Sequence, residues 1–303
     1  MKLAQNTGSI LAAVLMQLSS SALAQVRPGS EMPDALKGIP PAVCRGSQET
    51  AAGQGTQGAT VQSKQPDFSC ALAPAAAANY VQQPGAMLAD LRAASEFAHF
   101  HARDAIGVTP SQLRTQNHWR DKPVLLIGSG KAEGDAFRTC AVLRAIGYSQ
   151  VRVLRGGMPA WLDAGLPVDG AAPSPAALAR LGAAEFWAEG QDLDNVVLLA
   201  VPPERFKREL PFAVPIAKAT PESIRAVLDR RKKETKGSPL NAVVIAMPTA
   251  TTDKEIQALR QALAPVPLLA YAGGQDEFAM QMREQYAVWQ AHARGPRKPP
   301  CNG

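Results

Sequence analysis

The stretch "KPVLLIGSGKAEGDAF", Lys122 to Phe137, passes from a short apolar run to a glycine loop and then to a helical pattern. Pro123 to Ile127 is too short for a buried helix and carries the branched side chains of a buried strand. Gly128 and Gly130 punctuate its end. From Gly134 onward, "GDAFRTCAVLRAIG" repeats apolar residues at Phe137, Cys140, Val142 and Leu143, a helical spacing. Glycines, a lysine and a helix start make an anion cradle, so Gly128, Ser129, Gly130 and Lys131 are the candidate anion-binding loop. Sulfate, thiosulfate or a partner's carboxylate would suit it; the plain alternative is a solvated loop. A nucleotide loop is a poor fit, because the early glycine and the hydroxyl after Lys131 are missing.

Outward from this stretch, strands and helices alternate. The segments "PAAAANYVQQ", "ASEFAHF", "PSQLRTQNHW" and "MPAWLDAG" read as helical, while "AMLADLR", "DAIGV" and "QVRVLRGG" read as strands. Short apolar strands separated by helices predict a parallel sheet covered on both faces. After "AAPSPAALA", a linker or lead-in helix, the order returns. Strands are expected at "NVVLLAV", "FAVPIA", "NAVVIAM" and "VPLLAYAGG". Helices are expected at "TPESIRAVLDRRKKE" (with Thr220 as N-cap), "DKEIQALRQALA" and "DEFAMQMREQYAVWQAHA", and "PPERFKREL" is a helical turn. Gly156-Gly157 recurs as Gly273-Gly274, with Trp161 and Phe278 following at like spacing, which points to a duplicated unit.

The closing run "LRAIGYSQVRVLRGGMPAWLDAGLPV", Leu143 to Val168, resembles the ending of a rhodanese domain, the sulfurtransferase fold: helix, Gly-Tyr, strand, Gly-Gly, then a tryptophan helix and Gly-Leu-Pro. "MLADLRAASEF" is similar to the family's Asp-x-Arg strand end followed by Glu-Phe, which places Asp90, Arg92, Glu96 and Phe97. "HARDAIGV" is similar to the next family segment through His101, Ala105 and Ile106. Gly156, Gly157 and Trp161 match the closing motif. The resemblance implies an α/β fold, a rhodanese-like domain with a parallel sheet flanked by helices at 70–170. A second, degenerate rhodanese-like α/β domain follows at 171–292.

In active members of that family a cysteine ends the central strand, and inward-pointing amides stabilise its thiolate and then the persulfide. Here the chain has no cysteine between Cys70 and Cys140. Counted from the strand, Ile127 stands at the expected position; counted back from the helix, Lys131 does. Ser129 lies in the loop, but a serine cannot form a persulfide. The second unit offers Ala246 or Met247 there, and its Asp-x-Arg signal has become "AVPPE". No catalytic residue is therefore expected at the usual position in either half.

The flanks suggest export. Residues 1–24 have an early Lys2, an apolar run from Ile10 to Leu18 and a small-residue ending at Ala22-Leu23-Ala24, the layout of a signal peptide. A periplasmic or secreted protein without stable membrane insertion is expected. Residues 25–69 read as an extended or disordered leader and 293–303 as a flexible tail. In an oxidising compartment the four cysteines can pair, and Cys44–Cys70, bracketing a polar Gly/Gln/Ser-rich stretch, is the favoured bridge. Cys140 is expected to pack as a small hydrophobe, and Cys301 to be a free tail thiol. Net charge is +6, but the basic residues are scattered apart from "DRRKKETK" at a helix end, so no nucleic-acid partner is expected. His99, His101 and His118 are the histidines that could chelate, yet one already has a family counterpart; no metal and no cofactor are expected. Trp119, Trp161, Trp187 and Trp289 are assigned to core or domain interface. Two functions remain open: a silent module binding an anion or an unknown protein partner, or a sulfurtransferase or thiol-redox carrier using a displaced cysteine such as Cys301 or Cys140.

Overall fold

The computed structural model describes residues 65–294. The first half runs β1 (Ala71–Leu72), α1 (Pro74–Val81), β2 (Met87–Asp90), α2 (Ala94–His99), β3 (Phe100–Ala102), β4 (Ile106–Gly107) and α3 (Pro110–Thr115). It continues with β5 (Val124–Ile127), α4 (Glu133–Ala145), β6 (Val151–Leu154), α5 (Gly157–Asp163) and β7 (Val168–Gly170). The second half holds α6 (Pro175–Leu178), β8 (Arg180–Leu181), α7 (Ala183–Gly190), β9 (Val196–Leu199) and β10 (Val214–Pro215). After these come α8 (Pro221–Glu234), β11 (Val243–Ala246), α9 (Asp253–Leu263), β12 (Leu268–Tyr271) and α10 (Gly274–Arg294).

Each half builds one five-stranded, wholly parallel sheet. The orders are β1-β6-β5-β2-β4 and, read from the corresponding edge, β8-β12-β11-β9-β10. The two orders are identical once strands are counted within each half, so the recurrence in sequence has a counterpart in topology. Strands β2, β5, β9, β11 and β12 are buried along their whole length, as strands covered on both faces must be. Alternation then divides the core. Val124 and Leu126 face the layer of Phe137, Cys140 and Leu143, whereas Leu125 and Ile127 face Met158 and Trp161. Helix ends follow local chemistry: Thr220 accepts from Ser223 N–H as expected, and Thr252 with Glu255 closes a reciprocal cap on α9.

Several features differ from the sequence reading. Edge strands β1 and β8 are two residues each, too short for a periodicity signal. The antiparallel pair β3–β7 joins segments read as a helical turn and a domain end. Helix α7 was not anticipated, although Glu185 caps it through Gly182 N–H at 2.8 Å.

The disulfide requires a correction. Cys70 is bonded to Cys140, with a Cα–Cα distance of 6.6 Å. The favoured Cys44–Cys70 bridge is thereby overturned, as is Cys140 as a free core thiol. Loop composition between two cysteines says nothing about proximity in space; the short 3-10 turn Phe68–Cys70 lies against α4, and this packing brings the two sulfurs together. Cys44 and Cys301 lie outside the described residues, as do the signal-peptide segment and most of the leader and tail. No helix among the described residues is long and apolar enough to cross a membrane.

Candidate functional site

The loop between β5 and α4 sits where the sequence reading placed it, and the two glycines of the closing motif shape it. Gly157, at φ +54°, lies so close to the loop that an added Cβ would meet Gly128 O at 2.5 Å and clash with Gly130 N. Met158 N–H donates to Gly128 O at 2.8 Å, fastening the loop to the start of α5. Gly130 itself has φ +85°, and a Cβ there would fall 2.8 Å from Gly156 O. The glycines are thus needed for close backbone approach.

Of the two positions at which a cysteine could be sought, Ile127 is fully buried on the Met158 and Trp161 face and does not line the loop's cavity. That cavity, about 210 Å³, is lined by Arg92, the residues from Gly128 to Glu133, and the flank of α4. Lys131 does lie at it, but its ammonium is held by Glu185 of the second half, at 2.8 and 2.9 Å to the two carboxylate oxygens. The Ala132 N–H, turned by a left-handed backbone at φ +47°, donates to Glu189, also of the second half. Glu189 is buried and its other oxygen accepts from Asn195 Nδ2 at 2.9 Å. The loop's cation and this amide therefore already face carboxylates of the same chain. Ser129 turns inward, its Oγ accepting from Lys131 N–H at 3.2 Å.

Beneath the loop lies Glu133, the first residue of α4 and only 5% exposed. Gly156 N–H donates to its Oε1, and Arg155 stands 3.8 Å from Oε2. With the Asn241 amide, from the second half, turned to the orientation that satisfies both of its ends, its nitrogen donates to Oε2 at 3.3 Å and its oxygen accepts from Gly134 N–H at 3.2 Å. Burial pushes the Glu133 carboxyl up to about 7, with the Glu189 charge adding to the rise, while Arg155 and the Gly156 N–H oppose it. Burial likewise pushes Glu189 up, against its bonds to Ala132 and Asn195. Arg155 also reaches across the junction, donating to Leu240 O and, at 2.7 Å, to Asn241 O.

The family-matched residues take supporting roles. Asp90 and Arg92 form a buried two-pronged ion pair, with Arg92 Nη2 2.7 Å from Oδ2 and also 2.8 Å from Phe100 O. Glu96 accepts from Ala93 N–H at 3.1 Å and caps α2. His101 Nδ1 lies 2.9 Å from Phe97 O, and its ring stacks on Phe97. Trp161 donates to Pro167 O at 3.0 Å inside the core. Trp187 meets Trp289 on α10, and His118 packs on Trp119. Sequence reasoning missed Glu133, Glu185, Glu189, Arg155 and Asn241. Glu133 carries a usable signal, an acid at the first turn of an otherwise apolar helix face; the others act across the junction and carry none.

Residues 73–164 match the rhodanese-like domain family. The uncharacterized protein YibN of Escherichia coli (strain K12) is 29% identical over 98 residues, which is 30% of this chain and 66% of that protein. Its counterpart in Escherichia coli O6:H1 has the same identity and coverage, so the chain spans 66% of the length of the curated relatives it matches. Among solved structures, a thiosulfate sulfurtransferase from Pseudomonas aeruginosa is 20% identical, covers 70% of this chain and 42% of that one, and has a TM-score of 0.29. The 3-mercaptopyruvate sulfotransferase SseA from Escherichia coli is 15% identical, covering 68% and 99%, at a TM-score of 0.28. Scores this low carry no inference about activity. The family match falls on the segment holding Asp90, Arg92, the loop and the Gly156-Gly157 pair, and the chain accordingly carries a rhodanese-like domain at residues 73–164.

Proposed function

We propose that this chain is an exported, catalytically silent rhodanese-like protein whose role is to bind a protein partner, with 171–292 a degenerate second rhodanese-like domain. The observation that carries this reading is the state of the loop. Its cation and the Ala132 amide are engaged by Glu185 and Glu189 of the second half, and no thiol stands at the strand end. A persulfide carrier needs a thiolate in an electropositive, accessible place. Here Cys70 and Cys140 are fully buried and bonded to each other, and two carboxylates cancel the loop's positive character. A small external anion would have to displace both carboxylates, which favours a protein partner over an anion as ligand. The signal-like residues 1–24 support export to the periplasm.

The test is turnover of thiosulfate and cyanide by the mature protein, with intact-mass spectrometry before and after thiosulfate alone. The expected result is no thiocyanate and no one-sulfur adduct. Turnover abolished by Cys301→Ala would replace this reading with a sulfurtransferase that uses a displaced cysteine.

A further inference from the structure

A second cavity, separate from the loop, opens at the junction of the two halves. It holds about 280 Å³ between α5 and the connection from α9 to β12. Its walls are mostly apolar, with Ala160 and Ala164 on one side and Val266 and Leu268 on the other. Three charged side chains line it: Arg155, Arg260 and Asp163.

Within the lining these charges are two guanidinium groups and one carboxylate, with Arg155 paired to Glu133 outside it. Asp163 is shared by Arg260 Nη2 at 2.5 Å and Gln257 Nε2 at 2.6 Å. Arg260 Nη1 donates to Leu268 O at 3.1 Å, but its Nε is buried and has no acceptor among the described residues. Its side chain is only 8% exposed. Arg155 spends its Nη2 on two main-chain carbonyls, and its nearest carboxylate, Glu133, stands 3.8 Å from Nη1. Two guanidinium groups thus border an apolar hollow that contains one carboxylate. Such a lining, apolar with a few convergent polar groups, is the usual form of a small-ligand site. The planar guanidinium groups favour a carboxylate as the occupant's polar end.

We propose that this junction cleft binds a small amphiphilic monocarboxylate, its carboxylate beside Arg260 and Arg155 and its apolar body against Ala160, Ala164 and Val266. The assignment stands on the cleft alone and holds whether or not the loop of the first half handles sulfur. Because both halves supply walls, the ligand would also hold them together, and its binding would raise the unfolding temperature.

The test is calorimetric titration of the full chain with phenylacetate, and in parallel with 2-phenylethanol, which keeps the ring and lacks the charge. Ala164→Trp, at the exposed rim, fills the cleft without touching an ion pair. Saturable phenylacetate binding is expected, at least about tenfold tighter than the alcohol, and lost in Ala164→Trp at an unchanged unfolding temperature. No saturation at millimolar phenylacetate overturns the proposal. Binding that persists in a folded Ala164→Trp protein overturns the location, and equal affinity for the alcohol overturns the carboxylate.

Discussion

Replacing Glu133 by glutamine tests whether the carboxyl beneath the loop is neutral in the folded protein. Burial raises that group from 4.5 to about 7, a difference worth about 3 kcal/mol. The native state then holds a proton that the unfolded chain has released, so this group's contribution is fully present below about pH 4.5 and is lost as pH rises through about 7. Glutamine keeps an acceptor for Gly156 N–H and never ionises. Relative to wild type, Glu133→Gln should therefore be about equally stable near pH 4.5 and up to ~3 kcal/mol more stable near pH 8. The four tryptophans report unfolding, and urea midpoints across that range give the difference directly. Subtracting wild type removes the opposite trend from Asp67, whose carboxyl is lowered chiefly by its bond to Ser69. Glu189, raised by burial, contributes the same sign to both proteins. A difference that stays flat with pH, or a variant that is weaker near pH 8, would show that Glu133 is ionised and held by Arg155.

Three further outcomes follow from the geometry. Cys140→Ala removes a bridge across a separation of 70 residues and should cost about 4 kcal/mol, matched by reductant acting on wild type; a shift in urea midpoint below a quarter of that would mean the bond constrains little. Gly157→Ala drives a Cβ against Gly128 O and Gly130 at a left-handed φ, so a loss of about 3 kcal/mol and a melting temperature lower by roughly 10 °C are expected from calorimetry. Arg92→Ala leaves Asp90 buried without its partner, at a cost of about 3–5 kcal/mol, whereas the double Asp90→Ala/Arg92→Ala protein should recover part of it; equal or larger loss in the double variant counts against the pair.

Much of the fold was legible because its signals are local. A five-residue apolar run closed by glycine can satisfy its backbone in a parallel sheet, and "PVLLIG" forms β5 as read. Gly156 and Gly157 take the left-handed backbone that the turn into α5 demands, although Gly157 is also held by its approach to Gly128 and Gly130 of the distant loop. The absence of a cysteine at the strand end was equally plain in the residues themselves.

What the loop can bind was decided elsewhere. Lys131 reads as an open cation in the sequence, yet its partner Glu185 lies 54 residues away, and Ala132 meets Glu189 across 57. No periodicity encodes such a meeting, because it depends on how the second sheet packs against the first. The same holds for Cys70 and Cys140, for Arg155 on the carbonyls of Leu240 and Asn241, and for the two-residue edge strands. Side-chain pattern alone determined the layers and the lack of a cysteine at the strand end, since both depend on neighbours along the chain. Tertiary packing decided which charges are cancelled and which carboxyls are buried, since electrostatics depends on distance through space.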